Sequence, residues 1–281
     1  MLRQPSKWWF ANTLLTYFQH CVKEIKMTTA VFTIIIIAFI AVVVLSCSRQ
    51  HTPQPAANKP PNMPIMELDA TLDKPIGFGY KNAWLAIRTE DPSVLAEVLG
   101  LRDLKPANWR TGLNSSYERH ETHVFVTPPV EGWVFVVGIA LPDTGDSSRP
   151  DRCTPILEAL GKKYEHVYFF GTHRVVDFHA WARVDNGLVS RAYAYLGEQG
   201  VTIWDKGEKT KEEVALKFNF LADEPTELQR KEYRERGEHT SPKEEDVIKI
   251  AEAWTMNPLR IDEMDLPPSV GLVGRVPSEW R

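Results

Sequence analysis

The chain has 281 residues, of which 43% are hydrophobic and 25% charged, the balance of an ordinary globular protein. Its net charge of −4, from 33 basic and 37 acidic residues, offers no basic excess to suggest a nucleic-acid surface, and no nucleic-acid partner is expected. No glycine-rich phosphate loop, CxxC pair, HExxH or GxSxG is present, so the sequence assigns neither cofactor nor metal.

From Met27 to Ser48 there is no charged residue. Roughly 20 apolar residues at about 1.5 Å each match a hydrocarbon core of about 30 Å. Arg3, Lys7, Lys23 and Lys26 precede this run against Glu24 alone, which predicts a cytoplasmic N-terminus and an exported remainder. The run ends in VVLSCS, which resembles the lipobox of bacterial lipoprotein signals; the resemblance implies cleavage before Cys47 and lipidation of that residue. An uncleaved single-pass helix is the alternative. Either way the membrane is a partner, and the domain is tethered on the periplasmic side of the inner or outer membrane. With Cys21 in the leader and Cys47 at the anchor, Cys153 is left without a disulfide partner and is expected to be buried.

Residues 48–66, SRQHTPQPAANKPPNMPIM, are proline-rich and without periodicity, and read as a stalk that reaches roughly 60 Å if fully extended. This divides the chain into a leader with its membrane segment at 1–47 (27–47 apolar), a linker at 48–68 and one α+β domain at 69–281. KNAWLAIR (81–88) suits a strand. Asp91-Pro92 caps a helix that Gly100 ends, and 101–121 reads as a long polar loop. HVFVT (123–127) and WVFVVGIA (133–140) are strands; the second, apolar throughout, belongs in the middle of a sheet covered on both faces. A helix starts at Thr154-Pro155, and VYFFG (167–171) is another buried strand. Thr210 and Glu213 form a capping box, and Ser241 with Glu244 a second; the latter helix presents Val247, Ile250, Ala251 and Trp254 to the core. The charged stretch 222–240 reads as a solvated excursion, Trp84, Trp109 and Trp133 as core or loop anchors, and 267–281 as a tail wrapped on the domain. The fold class is α+β: a largely antiparallel twisted sheet with a few packed helices.

The stretch GTHRVVDFHAWARVDNGLVSRAYAYLGEQG (171–200) is a hairpin about Asp185-Asn186-Gly187. A three-residue loop, pairing Val184 with Leu188, sorts the side chains cleanly. One face collects Val176, Phe178, Ala180, Ala182 and Val184 with Leu188, Ser190, Ala192, Ala194 and Leu196. The other collects Asp177, His179, Trp181 and Arg183 with Val189, Arg191, Tyr193 and Tyr195. Trp204 extends this second face if Ile203 enters the core, and His173 joins it if the strand runs unbroken from Gly171.

These nine residues (His173, Asp177, His179, Trp181, Arg183, Arg191, Tyr193, Tyr195 and Trp204) are the candidate binding surface, because Tyr, Trp and Arg carry binding energy at protein interfaces. Asp177 and His179 are also candidate acid–base catalysts, lacking a nucleophile on their own strand. A metal held by His173, Asp177 and His179 is disfavoured by their spread along one strand, unless His120 or His123 joins. The alternative is a covered face, its histidines satisfied in a packed aromatic layer. The pattern FFGTHRVVDFHAWARVDNG…RAYAYLGEQG, with IAEAWTMNP downstream, resembles an uncharacterised family of bacterial proteins with no established activity. That resemblance spans most of residues 80–275 and implies a single bacterial domain and no catalytic residue. The expected function is a tethered extracytoplasmic binding domain, such as an immunity or inhibitor protein. A hydrolase using Asp177 and His179, or an envelope protein that binds cell-wall material, is the alternative.

Overall fold

A computed structural model describes residues 67–281 except 146–148, 217–225, 238–240 and 281. The leader, the apolar segment 27–47 with Cys47, and the stalk up to residue 66 lie outside the described residues. Among the described residues, no helix is long and apolar enough to cross a membrane.

Among the described residues, nine strands form one open antiparallel sheet: β1 (Asn82–Arg88), β2 (Arg102–Asn108), β3 (His123–Val126), β4 (Trp133–Val137), β5 (Val167–His173), β6 (Phe178–Asp185), β7 (Leu188–Leu196), β8 (Val201–Lys206) and β9 (Val270–Arg275). Their order is β2-β9-β3-β4-β1-β5-β6-β7-β8. The helices are α1 (Pro92–Val98), α2 (Trp109–Glu118), α3 (Cys153–Gly161), α4 (Lys211–Ala215), α5 (Glu227–Glu235) and α6 (Glu244–Trp254). The α+β class and the antiparallel sheet are as expected.

Both faces of the sheet are covered, which explains why WVFVV is apolar at every position. Val134 and Val136 enter a first core, with Leu95 of α1 and Leu157 of α3. Trp133, Phe135 and Val137 enter a second, with Trp109 of α2 and Val247 and Ile250 of α6. Trp84 and Trp109 are fully buried there, as is Cys153 in the first core, where burial pushes its thiol well up.

Helix starts follow their caps. Asp91 accepts from the Ser93 and Val94 amides at 3.0 Å, with Pro92 opening α1. Thr210 and Glu213 make the reciprocal capping box of α4. Helix α6 begins at Glu244, two residues after the Pro242 signal, with the Asp246 carboxylate accepting from the Lys243 amide at 3.0 Å.

Two expectations are corrected. The expected loop 101–121 holds β2 and α2. Strand β2 is an edge with five exposed residues, and α2 buries Thr111, Gly112, Ser115 and Ser116, so neither has an apolar period to read. Gly112 is required because a Cβ there would lie 2.2 Å from the Phe125 ring. The C-terminal segment, expected as a wrapping tail, inserts as β9 between β2 and β3. Gly271 interrupts its pattern, and a Cβ there would meet the Val126 carbonyl oxygen at 2.3 Å.

Candidate functional site

The β6–β7 turn differs from the three-residue loop. Asp185 pairs with Leu188 and Val184 with Val189, so the loop is Asn186-Gly187, both at positive φ. A bulge at Ser190 then shifts the register, and Arg183 faces Arg191, Trp181 faces Tyr193 and His179 faces Tyr195. The faces of residues 178–183 and 191–196 therefore sort as expected, with partners slid by two positions. Val189 moves to the apolar core with Val184, and Ser190, expected inward, is exposed and bonds Asp185.

Strand β5 does not run on into β6. It ends at His173, and Arg174–Asp177 form a turn with Asp177 in left-handed conformation (φ 50°). His173 consequently pairs with Phe178 and belongs to the apolar face, away from His179. Trp204 also changes sides: a bulge at Ile203 pairs Trp204 with Ala194, and both Ile203 and Trp204 pack against the first core.

The aromatic–arginine face itself is closed. His179, Trp181, Arg191 and Tyr193 retain 2%, 0%, 1% and 1% of their exposure, beneath α4 and α6. Glu213 of α4, fully buried, accepts from the Trp181 indole at 2.8 Å, from Arg191 Nε at 2.8 and 2.9 Å, and from the Thr210 amide at 2.7 Å. Arg191 also meets the Asp205 carboxylate and donates to the Lys206 and Gly207 carbonyls. Burial opposes the charge on this guanidinium, but Glu213 and Asp205 outweigh it and hold its pKa above the usual value. The Tyr193 ring lies 4.9 Å from Trp181, and burial pushes its hydroxyl pKa far up. Arg183 is more open: it forms a two-pronged pair with Asp185 at 3.0 and 2.9 Å and lies over the Trp254 ring. Tyr195 is half-buried at the edge of this layer.

Asp177 and His179 do meet, at 2.9 Å between Oδ1 and Nε2. An ionised carboxylate only accepts, so Nε2 carries a proton. The other ring nitrogen, Nδ1, lies 3.0 Å from the Thr172 hydroxyl, which also reaches Glu244 at 3.3 Å; Glu244 in turn pairs with Arg174 at 2.7 Å. Thr172 is thus the hydroxyl missing from the Asp–His pair, supplied by the neighbouring strand directly opposite His179. Its side chain is 1% exposed and points to the covered face, where Glu244 engages it. The chain of contacts pins the 174–177 turn to the start of α6, with the hydroxyl already engaged by both His179 and Glu244. Among the described residues, no group of three His, Cys, Asp or Glu side chains is placed to hold a metal ion.

An opening exists on the opposite face. Helix α3 packs its C-terminus on the β6–β7 turn, where a Cβ at Gly161 would lie 2.4 Å from Val184. Among the described residues, no helix lines the space over the far ends of the same strands. There a cavity of about 460 Å³ has Ala83, Phe169, Phe178, Leu196 and Ile203 as its floor. Ile139 and Leu141 form a wall, and His173, Asp143, Arg149, Glu198 and Gln199 lie at its rim. Asp143 holds this rim to α3, bonding Arg149 at 2.7 Å while its carbonyl accepts from the Cys153 amide at 3.1 Å. An apolar floor with a few polar groups around it is the composition of a ligand site, and the volume suits a small ligand or two or three side chains.

Of the sequence candidates, only His173 lines this cavity, beside Ile203 and near Trp204. The rest of the lining comes from five strands, residues 139–144 with Arg149, and the turns at 174–177 and 197–200, with no local pattern to reveal it. Neither the family models, nor the curated proteins, nor the solved structures compared with the chain match it, so its function is argued from its own geometry.

Proposed function

We propose that this chain is a membrane-tethered, extracytoplasmic binding domain of bacterial origin, an immunity or inhibitor protein in its most concrete form, and that it engages its partner through the cavity over Phe169 and Phe178. The tether rests on the uncharged run 27–47, the basic flank before it, the lipobox-like Cys47 and the proline-rich stalk. The observation that carries the binding site is the contrast between the two faces. The centre of the aromatic–arginine layer is buried under α4 and α6, with only a shallow, polar hollow beside Arg183 and residues 208–212, whereas the apolar floor opposite is open and has a polar rim. Burial of apolar surface supplies the affinity there, and the rim sets orientation.

A hydrolase built on Asp177, His179 and Thr172 receives less support, because the hydroxyl lies on the sealed face and is already bonded. The test is a screen of small apolar fragments against the full-length chain in detergent, read by thermal shift. Fragments should raise Tm in the wild type and not in Ala83→Phe, which fills the floor. An absence of ligands, or ligands indifferent to Ala83→Phe, would refute the cavity as the contact site.

A further inference from the structure

The two edges of the sheet are defended unequally. Strand β2 carries Arg102, Asp103, Lys105 and Pro106 and a bulge between Arg102 and Lys105, the devices that keep an edge from pairing with another chain. Among the described residues, strand β8 is paired on one side only, by β7, and it begins Val201-Thr202-Ile203-Trp204, with neither charge nor proline. Its charges come last, where Asp205 is turned to Arg191 and Lys206 to Glu158. The bulge at Ile203 sets two consecutive large side chains, Ile203 and Trp204, against the first core instead of alternating them. Ile203 is also part of the cavity floor, so edge and cavity are continuous.

Resting on the reading that the cavity receives a partner, we propose that the partner docks as an additional β-strand along Val201–Lys206. The occupant is an extended, proline-free segment of another protein. Its backbone completes the hydrogen bonding of β8, and its alternate apolar side chains cross Ile203 and Trp204 into the cavity. Six residues of strand span about 17 Å, which sets the length of the segment. Glu198, exposed before the strand and at the cavity rim, fixes the direction: a basic residue of the partner lies beside it.

The test uses the full-length chain in detergent and a displayed library of random 12-residue linear peptides. Recovered peptides should share a proline-free core of about six residues with apolar alternation, and should slow amide exchange at 201–206 in the wild-type chain. Val201→Lys should weaken them at least tenfold. The exchange readout needs no variant, so it decides the matter even if that substitution lowers Tm. Peptides that leave exchange at 201–206 unchanged, or failure to recover any, would overturn the added strand. The fragment screen with Ala83→Phe would then decide separately whether the cavity reading stands. A dimer dispersed by Val201→Lys would assign the edge to a second copy and overturn the proposal.

Discussion

The Arg191–Glu213 pair is the sharpest test of which face of the sheet is interior. Both side chains are almost fully buried, at 2% and 0% exposure, and Glu213 receives donors from Trp181, Arg191 and Thr210. Glu213→Gln keeps shape but removes the charge and turns an amide NH₂ toward existing donors; Arg191→Met leaves a buried carboxylate with the Trp181 and Thr210 donors alone. Each single change should cost about 3–5 kcal/mol, the range for breaking a buried pair by removing one partner. The double variant has neither charge. Its glutamine still accepts from Trp181 or Thr210, and the released Asp205 is half exposed. It should therefore cost clearly less than the sum, with a coupling of about 3 kcal/mol. The assay is urea unfolding of the full-length chain in mild detergent, followed by near-UV circular dichroism. Single costs below about 1 kcal/mol, or additivity within about 0.5 kcal/mol, would refute a sealed ion pair beneath α4.

Three further outcomes are expected. Burial raises the pKa of Asp185, but the bonds from Arg183 and Ser190 outweigh it and hold it below the usual value. The stabilisation is thus complete above the unfolded carboxylate range and is lost as pH falls through the folded value; the stability gap between wild type and Asp185→Asn, at most about 1 kcal/mol for so exposed a pair, should persist from pH 7 to about 5 and vanish on further acidification. His179→Ala should lower stability by about 1–3 kcal/mol by stripping Asp177 and Thr172 of their partner, and urea midpoints measure it; an unchanged midpoint would release His179 from a structural role. Protease added to spheroplasts should degrade the domain from outside, and fatty-acid labelling should vanish in Cys47→Ser if the lipobox is used; a protected domain would remove the extracytoplasmic reading.

What was legible followed from local physics. The apolar run of β4 revealed a doubly covered strand, Asp91-Pro92 marked a helix start, and period-2 alternation sorted residues 178–183 and 191–196 onto their faces. The bulge at Ser190 hid the turn, because a two-residue loop plus one extra residue keeps the same parity as the three-residue loop. The 174–177 turn was invisible for a different reason: Arg-Val-Val-Asp contains no glycine, proline or asparagine and has two β-branched residues that read as strand. Gly197 accommodates it from 20 residues away, since a Cβ there would strike the Asp177 carboxylate. Glu213 was recognised as a capping residue, but its bonds to Trp181 and Arg191 span 32 and 22 residues and leave no mark on the local sequence. The same holds for the cavity, which exists where α3 stops covering the sheet.

Hydroxyl-radical footprinting of the native full-length chain compares the two faces without any substitution. Oxidation is expected at Ile139 (38% exposed), Phe178 and Ile203 around the cavity, with protection of Trp181 and Tyr193 under α4 and α6. Oxidation of Trp181 and Tyr193 as fast as of Ile139 would place the aromatic–arginine face in solvent and contradict the account.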